Sequence, residues 1–406
     1  YLEKALRGES GNLKLEVNAY GRIMKEIERV DGIPGKDVQL TIDSRLQQKA
    51  FELFGEESGA AVLLDVHTGE ILAFVSAPSF DPNMMTQGLS TEDWNALLHN
   101  ERNPLADKAI SGQYSPGSTF KMIVALAALE AGVIKPETRT YCAGKMFLGN
   151  HAFHCWKKEG HGHLNVVEAL QHSCDIFFYE TAQKLGIEKI ADMARRFGLG
   201  SKINIGLENE KAGLIPDKEW KLRRFGEPWQ QGESLISGIG QGYILTTPLQ
   251  LATMTARLVN GGYEIKPTFL KVSDGEKSKI RKIDVSPTNL ELIKEGMYAV
   301  VNKPGGTAWR SQFDYHGQRM GGKTGTTQVR RITMKERREG IKKESELPWR
   351  LRNHALFVGY APHDNPKYAV AVLVEHGGGG SSVAAPLAGK ILREAVMLDP
   401  TREEVR

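Results

Sequence analysis

Hydrophobic periodicity divides the chain into strand-like ends and a helical middle. Residues 13–17 and 22–27 are short β-leaning runs around a Tyr20-Gly21 turn, and Gly32-Ile33-Pro34-Gly35 forms a loop. Residues 38–42 alternate as a strand, and Asp43 or Ser44 stands where a helix over 45–54 needs its cap. Apolar runs at 60–65 and 70–76 flank His67-Thr68-Gly69 and predict a hairpin. Runs at 354–360 and 368–375, joined by Pro362-His363-Asp364-Asn365-Pro366, predict a second strand pair. Helical patterns occupy 119–131, 166–171, 176–185, 187–197, 249–260 and 289–301, and a last one covers 384–397. This order predicts an α+β fold: an antiparallel sheet flanked by helices, plus a mainly helical lobe. Residues 1–45 read as a preamble and 46–406 as the main domain.

Composition narrows the picture. A length of 406 residues suits one large domain with a smaller attachment. At 40% hydrophobic and 25% charged residues, the chain can build an ordinary buried core. The net charge of +4 is small for this length and gives a nucleic-acid partner no support. The longest near-apolar run, 122–129, is far short of the roughly 18 residues of a membrane span. No signal-peptide pattern and no motif for an organic cofactor stand out.

Three stretches carry candidate chemistry. The first is Tyr114-Ser115-Pro116-Gly117-Ser118-Thr119-Phe120-Lys121, a turn that opens an apolar helix. Ser118 and Lys121 lie three apart, on one helix face. Lys121 is the only charge from 119 to 129, so burial should favour its neutral amine. A neutral amine beside a hydroxyl is a base beside a nucleophile. Taken alone, the pair equally describes a Ser cap and a lysine reaching out to solvent. The second stretch is Ser173-Cys174-Asp175, a hydroxyl and a carboxylate just before a helix. The third is Lys323-Thr324-Gly325-Thr326-Thr327, strand-like, with Gly325 leaving room for another backbone.

Residues 317–324 also fit the phosphate-loop pattern G-x-x-x-x-G-K-[ST]. That loop must follow an apolar strand and open a helix. Phe313-Asp314-Tyr315-His316 is no apolar strand, and Gly325-Thr326-Thr327 is a poor helix start. The nucleotide reading therefore fails.

The order Ser-x-x-Lys, Ser-x-Asp, Lys-Thr-Gly resembles the motif trio of penicillin-binding proteins and class A β-lactamases. Within that superfamily the chain resembles the class B penicillin-binding proteins of rod elongation, the penicillin-binding protein 2 type. The resemblance rests on Glu16-Val17-Asn18-Ala19-Tyr20-Gly21-Arg22 and Leu40-Thr41-Ile42-Asp43. It also rests on Trp156-Lys157-Lys158 with Gly160-His161-Gly162, and on Gly238-Ile239-Gly240-Gln241-Gly242 before Thr247-Pro248-Leu249-Gln250. Asp175 departs from the superfamily's usual Asn but matches the elongation type.

The resemblance implies a peptidoglycan D,D-transpeptidase acting on stem peptides that end in D-Ala-D-Ala. Ser118 would be the nucleophile and Lys121 its base. Ser173, Asp175 and Lys323 would move the proton, Ser118 and Thr326 N–H groups would hold the oxyanion, and Thr324 with Thr326 would hold the terminal carboxylate beside Gly325. It implies β-lactams as inhibitors, and a membrane glycan polymerase and rod-complex scaffold proteins as partners. The implied location is the periplasmic face of the bacterial inner membrane, with an N-terminal transmembrane anchor outside this sequence. Residues 1–45 would then be part of a linker or pedestal. A D,D-carboxypeptidase, a β-lactamase and a non-catalytic β-lactam sensor are the alternatives.

Cys142, Cys155, His161 and Cys174 form a Cys₃His set at wide spacing. The spacing alone leaves three buried thiols, or one disulfide and a free thiol, equally open; His151, His154 and His163 compete as ligands. The resembled subfamily has a structural zinc at corresponding positions, which implies zinc here. Residues 330–352, with nine Lys/Arg against four Glu, read as a mobile flap near the cleft that meets anionic glycan or a partner.

Overall fold

The computed structural model describes residues 2–272, 275, 279–330, 336, 340 and 342–399. Helix α1 (Glu3–Arg7) precedes a hairpin of β1 (Asn12–Val17) and β2 (Ile23–Val30), exposed on both faces. The strand expected at 38–42 does not form: Leu40 makes one isolated bridge to Leu270. Asp43 caps α2 (Ser44–Glu52) as expected, accepting from the N–H of Arg45 and Leu46.

The hairpin of β3 (Ser58–Asp65) and β4 (Ile71–Ala77) enters the main sheet. Helices α3 (Pro82–Gln87) and α4 (Thr91–Leu98) follow, neither legible from periodicity because neither buries a residue. A 3₁₀ turn at Gly117–Phe120 runs into α5 (Lys121–Glu130). Small strands β5 (Thr140–Cys142), β6 (Lys145–Leu148), β7 (His151–His154) and β8 (Gly162–Leu164) form two short hairpin-like pairs. Then come α6 (Val166–Gln171), α7 (Asp175–Leu185), α8 (Ile187–Arg196), α9 (Lys218–Phe225), α10 (Gln231–Gly238), α11 (Pro248–Val259) and α12 (Pro287–Asn302). A two-residue pair, β9 (Asp314–Tyr315) and β10 (Gln318–Arg319), leads to β11 (Gly321–Thr327). Strands β12 (His354–Ala361) and β13 (Tyr368–Glu375) and helix α13 (Ala385–Met397) complete the described chain.

The main sheet has the order β11-β12-β13-β3-β4, every neighbour antiparallel. One face, including Val62, Leu64, Leu356 and Val358, packs on α5, α11 and the helical lobe. The other, including Leu63, Phe357, Val370 and Val372, packs on α2 and α13. Two covered faces explain why these strands read as continuous apolar runs rather than alternating ones. Helix α5 is buried along its length, as its all-apolar sequence requires. The chain puts its edge strand β11 beside the start of α5, and that edge is where the site lies.

The continuation of 317–324 is strand, not helix. Gly317 sits in the β9–β10 turn at φ +79°, so no phosphate loop exists here.

Candidate active site

Ser118 stands in the 3₁₀ turn at the mouth of α5, half-buried. It caps no helix, and Lys121 is fully buried rather than reaching solvent. Both alternatives for the first motif are thereby removed. The turn needs Gly117 at φ +54°. A Cβ there would lie 2.9 Å from Thr326 O and 3.4 Å from Thr326 N, so the turn touches β11 through bare backbone. Gly325 does the same from the other side: its Cβ would meet Pro116 O at 3.0 Å.

The second motif meets both lysines. Lys121 Nζ donates to Asp175 Oδ1 at 2.7 Å, to Ser173 O at 3.0 Å and to Ser173 Oγ at 3.3 Å. Lys323 Nζ donates to Ser173 Oγ at 2.9 Å and to Thr324 O at 3.2 Å. Sequence reasoning took Lys121 as the one ionisable group of an apolar helix, kept neutral by burial. The structure gives it a carboxylate partner, Asp175. Lys323 is the amine that burial pushes well below the usual lysine range; the Lys121 cation adds to this and Asp175 opposes it. Ser173 holds φ +52°, a left-handed conformation a non-glycine residue adopts at a cost.

On β11, Thr326 is exposed and Thr324 is buried. Thr326 O accepts from Gln241 Nε2 at 3.2 Å, on the side away from β12. A strand residue's N–H points the same way as its C=O, so the Thr326 N–H faces the open edge beside Ser118. Gly380 N donates to Thr326 Oγ1 at 3.2 Å, which leaves that hydroxyl's proton free to donate. Thr324 Oγ1 pairs with Thr307 Oγ1 at 2.7 Å, a partner the sequence did not suggest.

Sequence reasoning also gave no role to Trp156. Its backbone N–H donates to Asp175 Oδ2 at 2.9 Å, and its indole N–H to His172 O and Ser173 O at 3.0 and 3.1 Å. The signal was its place next to Cys155. Cys142, Cys155, His161 and Cys174 converge, their ligand atoms all within 4.8 Å of one another. No disulfide links the three cysteines. His161 turns Nδ1 to Cys142 and Cys155 Sγ at 3.6 and 3.5 Å, and its buried Nε2 meets no partner among the described residues. The hydrogen bond between Cys174 and Cys155 pushes Cys155 down to about 3 and, with burial, pushes Cys174 up, so one thiolate shared by the pair is favoured. His151, His154 and His163 lie outside the four.

Residues 59–393 match the penicillin-binding protein transpeptidase domain family, and residues 1–40 match the penicillin-binding protein dimerisation domain. The chain belongs to the penicillin-binding protein transpeptidase family. It is 39% identical over 406 residues to the peptidoglycan D,D-transpeptidase MrdA of Haemophilus influenzae, covering 97% of this chain and 61% of that protein. A solved PBP2 of Pseudomonas aeruginosa, in complex with WCK 5153, is 40% identical with TM-score 0.80, covering 92% of this chain and 78% of that one. PBP2 of Helicobacter pylori, solved with MreC, is 33% identical with TM-score 0.86, covering 98% and 71%. The chain thus spans about three fifths of the curated relative's length. For this penicillin-binding domain the α+β fold expected from sequence is the one observed. No helix among the described residues is long and apolar enough to cross a membrane.

Proposed function

We propose that the chain is a peptidoglycan D,D-transpeptidase of cell-wall elongation, working through a Ser118 acyl-enzyme. One observation carries the reading: two buried lysines share the Ser173 hydroxyl, and one of them is Lys121, on the helix that Ser118 opens. Ser118 Oγ attacks the carbonyl carbon of the penultimate D-Ala, and the amide C–N bond breaks. The Ser118 proton passes to Lys121 and through Ser173 and Lys323 to the leaving D-Ala amine. The depressed Lys323 amine is suited to this because it holds a proton weakly. Backbone N–H groups of Ser118 and Thr326 receive the oxyanion, and Thr326, free to donate, takes the terminal carboxylate with support from Thr324. A neighbouring stem-peptide amine then attacks the ester, and Ser118 regains a proton.

The four ligand atoms fit zinc. Tetrahedral zinc with ordinary Zn–S and Zn–N bonds separates sulfur from nitrogen by about 3.6 Å, close to the His161 distances of 3.5 and 3.6 Å. Cys142, Cys155, His161 Nδ1 and Cys174 would hold it. A closed four-ligand ion supplies a cross-link and no chemistry. It would tie Cys174, the residue before Asp175, to the β5–β8 segment. X-ray fluorescence on purified protein tests this; a metal-free, fully folded sample would remove it.

This reading places the protein at the periplasmic face of the inner membrane. Its partners there are a membrane glycan polymerase and scaffold proteins, the latter supported by the Helicobacter relative solved with MreC. The expected flap at 330–352 lies in part outside the described residues.

Incubation with a fluorescent penicillin tests the chemistry. Stable labelling that disappears in Ser118→Ala supports it. No labelling, or labelling that survives that change, overturns it. Rapid release of the adduct would assign a β-lactamase instead.

A further inference from the structure

Tyr114 lies four residues before Ser118, and Glu375 closes β13, 261 residues later in the chain. The Tyr114 phenol donates to Glu375 Oε1 at 2.7 Å, and the Ser58 hydroxyl donates to Oε2 at 2.6 Å. Ser58 opens β3 and is the register partner of Glu375. One carboxylate therefore joins two strands of the sheet to the segment that leads into the nucleophile. The bonds are charge-assisted, and so stronger than hydroxyl–carbonyl bonds. Burial pushes the Tyr114 phenol far up, which keeps it a donor. Its ring meets His354 edge-on at 5.3 Å, and His354 is held by the His376 N–H at 3.0 Å.

The backbone after Tyr114 is clamped in turn. Tyr114 N donates to Thr246 O at 2.9 Å, and Gly117 N to Gly240 O at 2.9 Å. The Thr327 hydroxyl donates to Ser115 O. These contacts hold the segment to β11 and to the loop at 240. Tyr114–Glu375 adds a link to β13, the middle strand of five, which also fixes β11 through β12. Ser118 and Thr326 thus hang from one frame by two routes.

We propose that Tyr114 and Glu375 are positioning residues for acylation: their bond sets the Ser118 turn against Thr326 and Lys121. The proposal rests on the reading of Ser118 as nucleophile. Neither residue touches the reacting atoms. Small misplacements of a nucleophile cost large factors in rate, which is how such a bond acts on chemistry.

The test is stopped-flow acylation by a fluorescent penicillin, separating the acylation rate constant from the dissociation constant of the preceding complex, with melting temperature measured alongside. Tyr114→Phe keeps the ring on His354 and removes only the donor. It should slow acylation about tenfold or more, with binding changed less than about threefold. Glu375→Ala should do the same, and the double variant should be no slower than either single change. Glu375→Gln, which can bridge both hydroxyls, should restore most of the rate. A Tyr114→Phe protein that acylates at the wild-type rate overturns the proposal, even if it melts earlier. If Glu375→Ala does not fold, Tyr114→Phe and Glu375→Gln decide. Failure of the wild-type protein to label would instead remove the transpeptidase reading itself.

Discussion

Lys121 and Lys323, 202 positions apart in sequence, donate to the same oxygen, Ser173 Oγ, at 3.3 and 2.9 Å. Among the described residues one carboxylate, Asp175, bonds either amine, and it bonds Lys121. Two buried amines with one carboxylate disfavour two ammoniums at once, because a second unpaired buried cation is costly. Lys323, fully buried and without a carboxylate in hydrogen-bond contact, is the amine that burial pushes well below the usual lysine range.

Acylation should therefore depend on a free Lys323 amine. The rate should rise with pH through the lowered Lys323 value and level off before the ordinary lysine range. Lys323→Arg, whose guanidinium stays charged, should lose about a hundredfold or more at every pH. Rate–pH profiles with fluorescent penicillin give the answer, and wild-type acylation by the Arg variant would sink the relay.

Ser173 should trade stability for function. Ser173→Ala removes the shared hydroxyl and keeps the left-handed strain, whereas Ser173→Gly removes both. The Gly protein should be more stable than the Ala protein by about 1 kcal/mol. Both should acylate far more slowly than wild type. Urea unfolding compares them; equal stability would mean that the φ of +52° costs nothing.

On the zinc reading, metal removal should reach the active site through Cys174. A chelator, or Cys174→Ser, should lower the melting temperature and slow acylation together, since Asp175 follows Cys174 directly and accepts from Trp156, the neighbour of Cys155. Zinc content per chain and acylation rate, measured on the same samples, should fall in step. Metal loss with an unchanged rate would confine the ion to stability.

Acid should weaken the sheet end that holds Tyr114. Burial, with a smaller contribution from His376, pushes His354 down to about 4. Unfolded, it titrates near about 6.5. Between those values the unfolded chain binds the proton and the folded chain does not. This contribution is present above about 6.5 and is lost as pH falls toward about 4. Unfolding midpoints from pH 7 to 4 should fall less steeply in His354→Gln than in wild type. Parallel curves would show that His354 carries none of the acid sensitivity.

Local sequence determined a good deal. The all-apolar run after Lys121 could only be a buried helix, the helices Asp175–Leu185 and Ala385–Met397 followed from periodicity, and the four strands β3, β4, β12 and β13 followed from short apolar runs parted by turn signals. The three motifs and the Cys₃His set were legible as residue types in an order. The strand expected at 38–42 failed because alternation supplies no strand-long partner: the chain there makes one isolated bridge, Leu40 to Leu270, beside a Thr41 N–H bond to Phe269 O.

Contacts between distant positions were decided by the tertiary structure alone. Nothing near Lys121 in sequence announces Asp175 at 2.7 Å, and that contact gives the helix's one ionisable group a carboxylate partner. Thr307 beside Thr324, and Glu375 beside Tyr114, lie outside every motif. Sequence patterns report the periods of helices and strands, which are set by neighbours a few residues away. The surroundings of a buried charge depend on which elements the sheet register and helix packing bring against it. The chemistry of Ser118 and its lysines was therefore nameable from sequence, while the protonation that makes it work belongs to the fold.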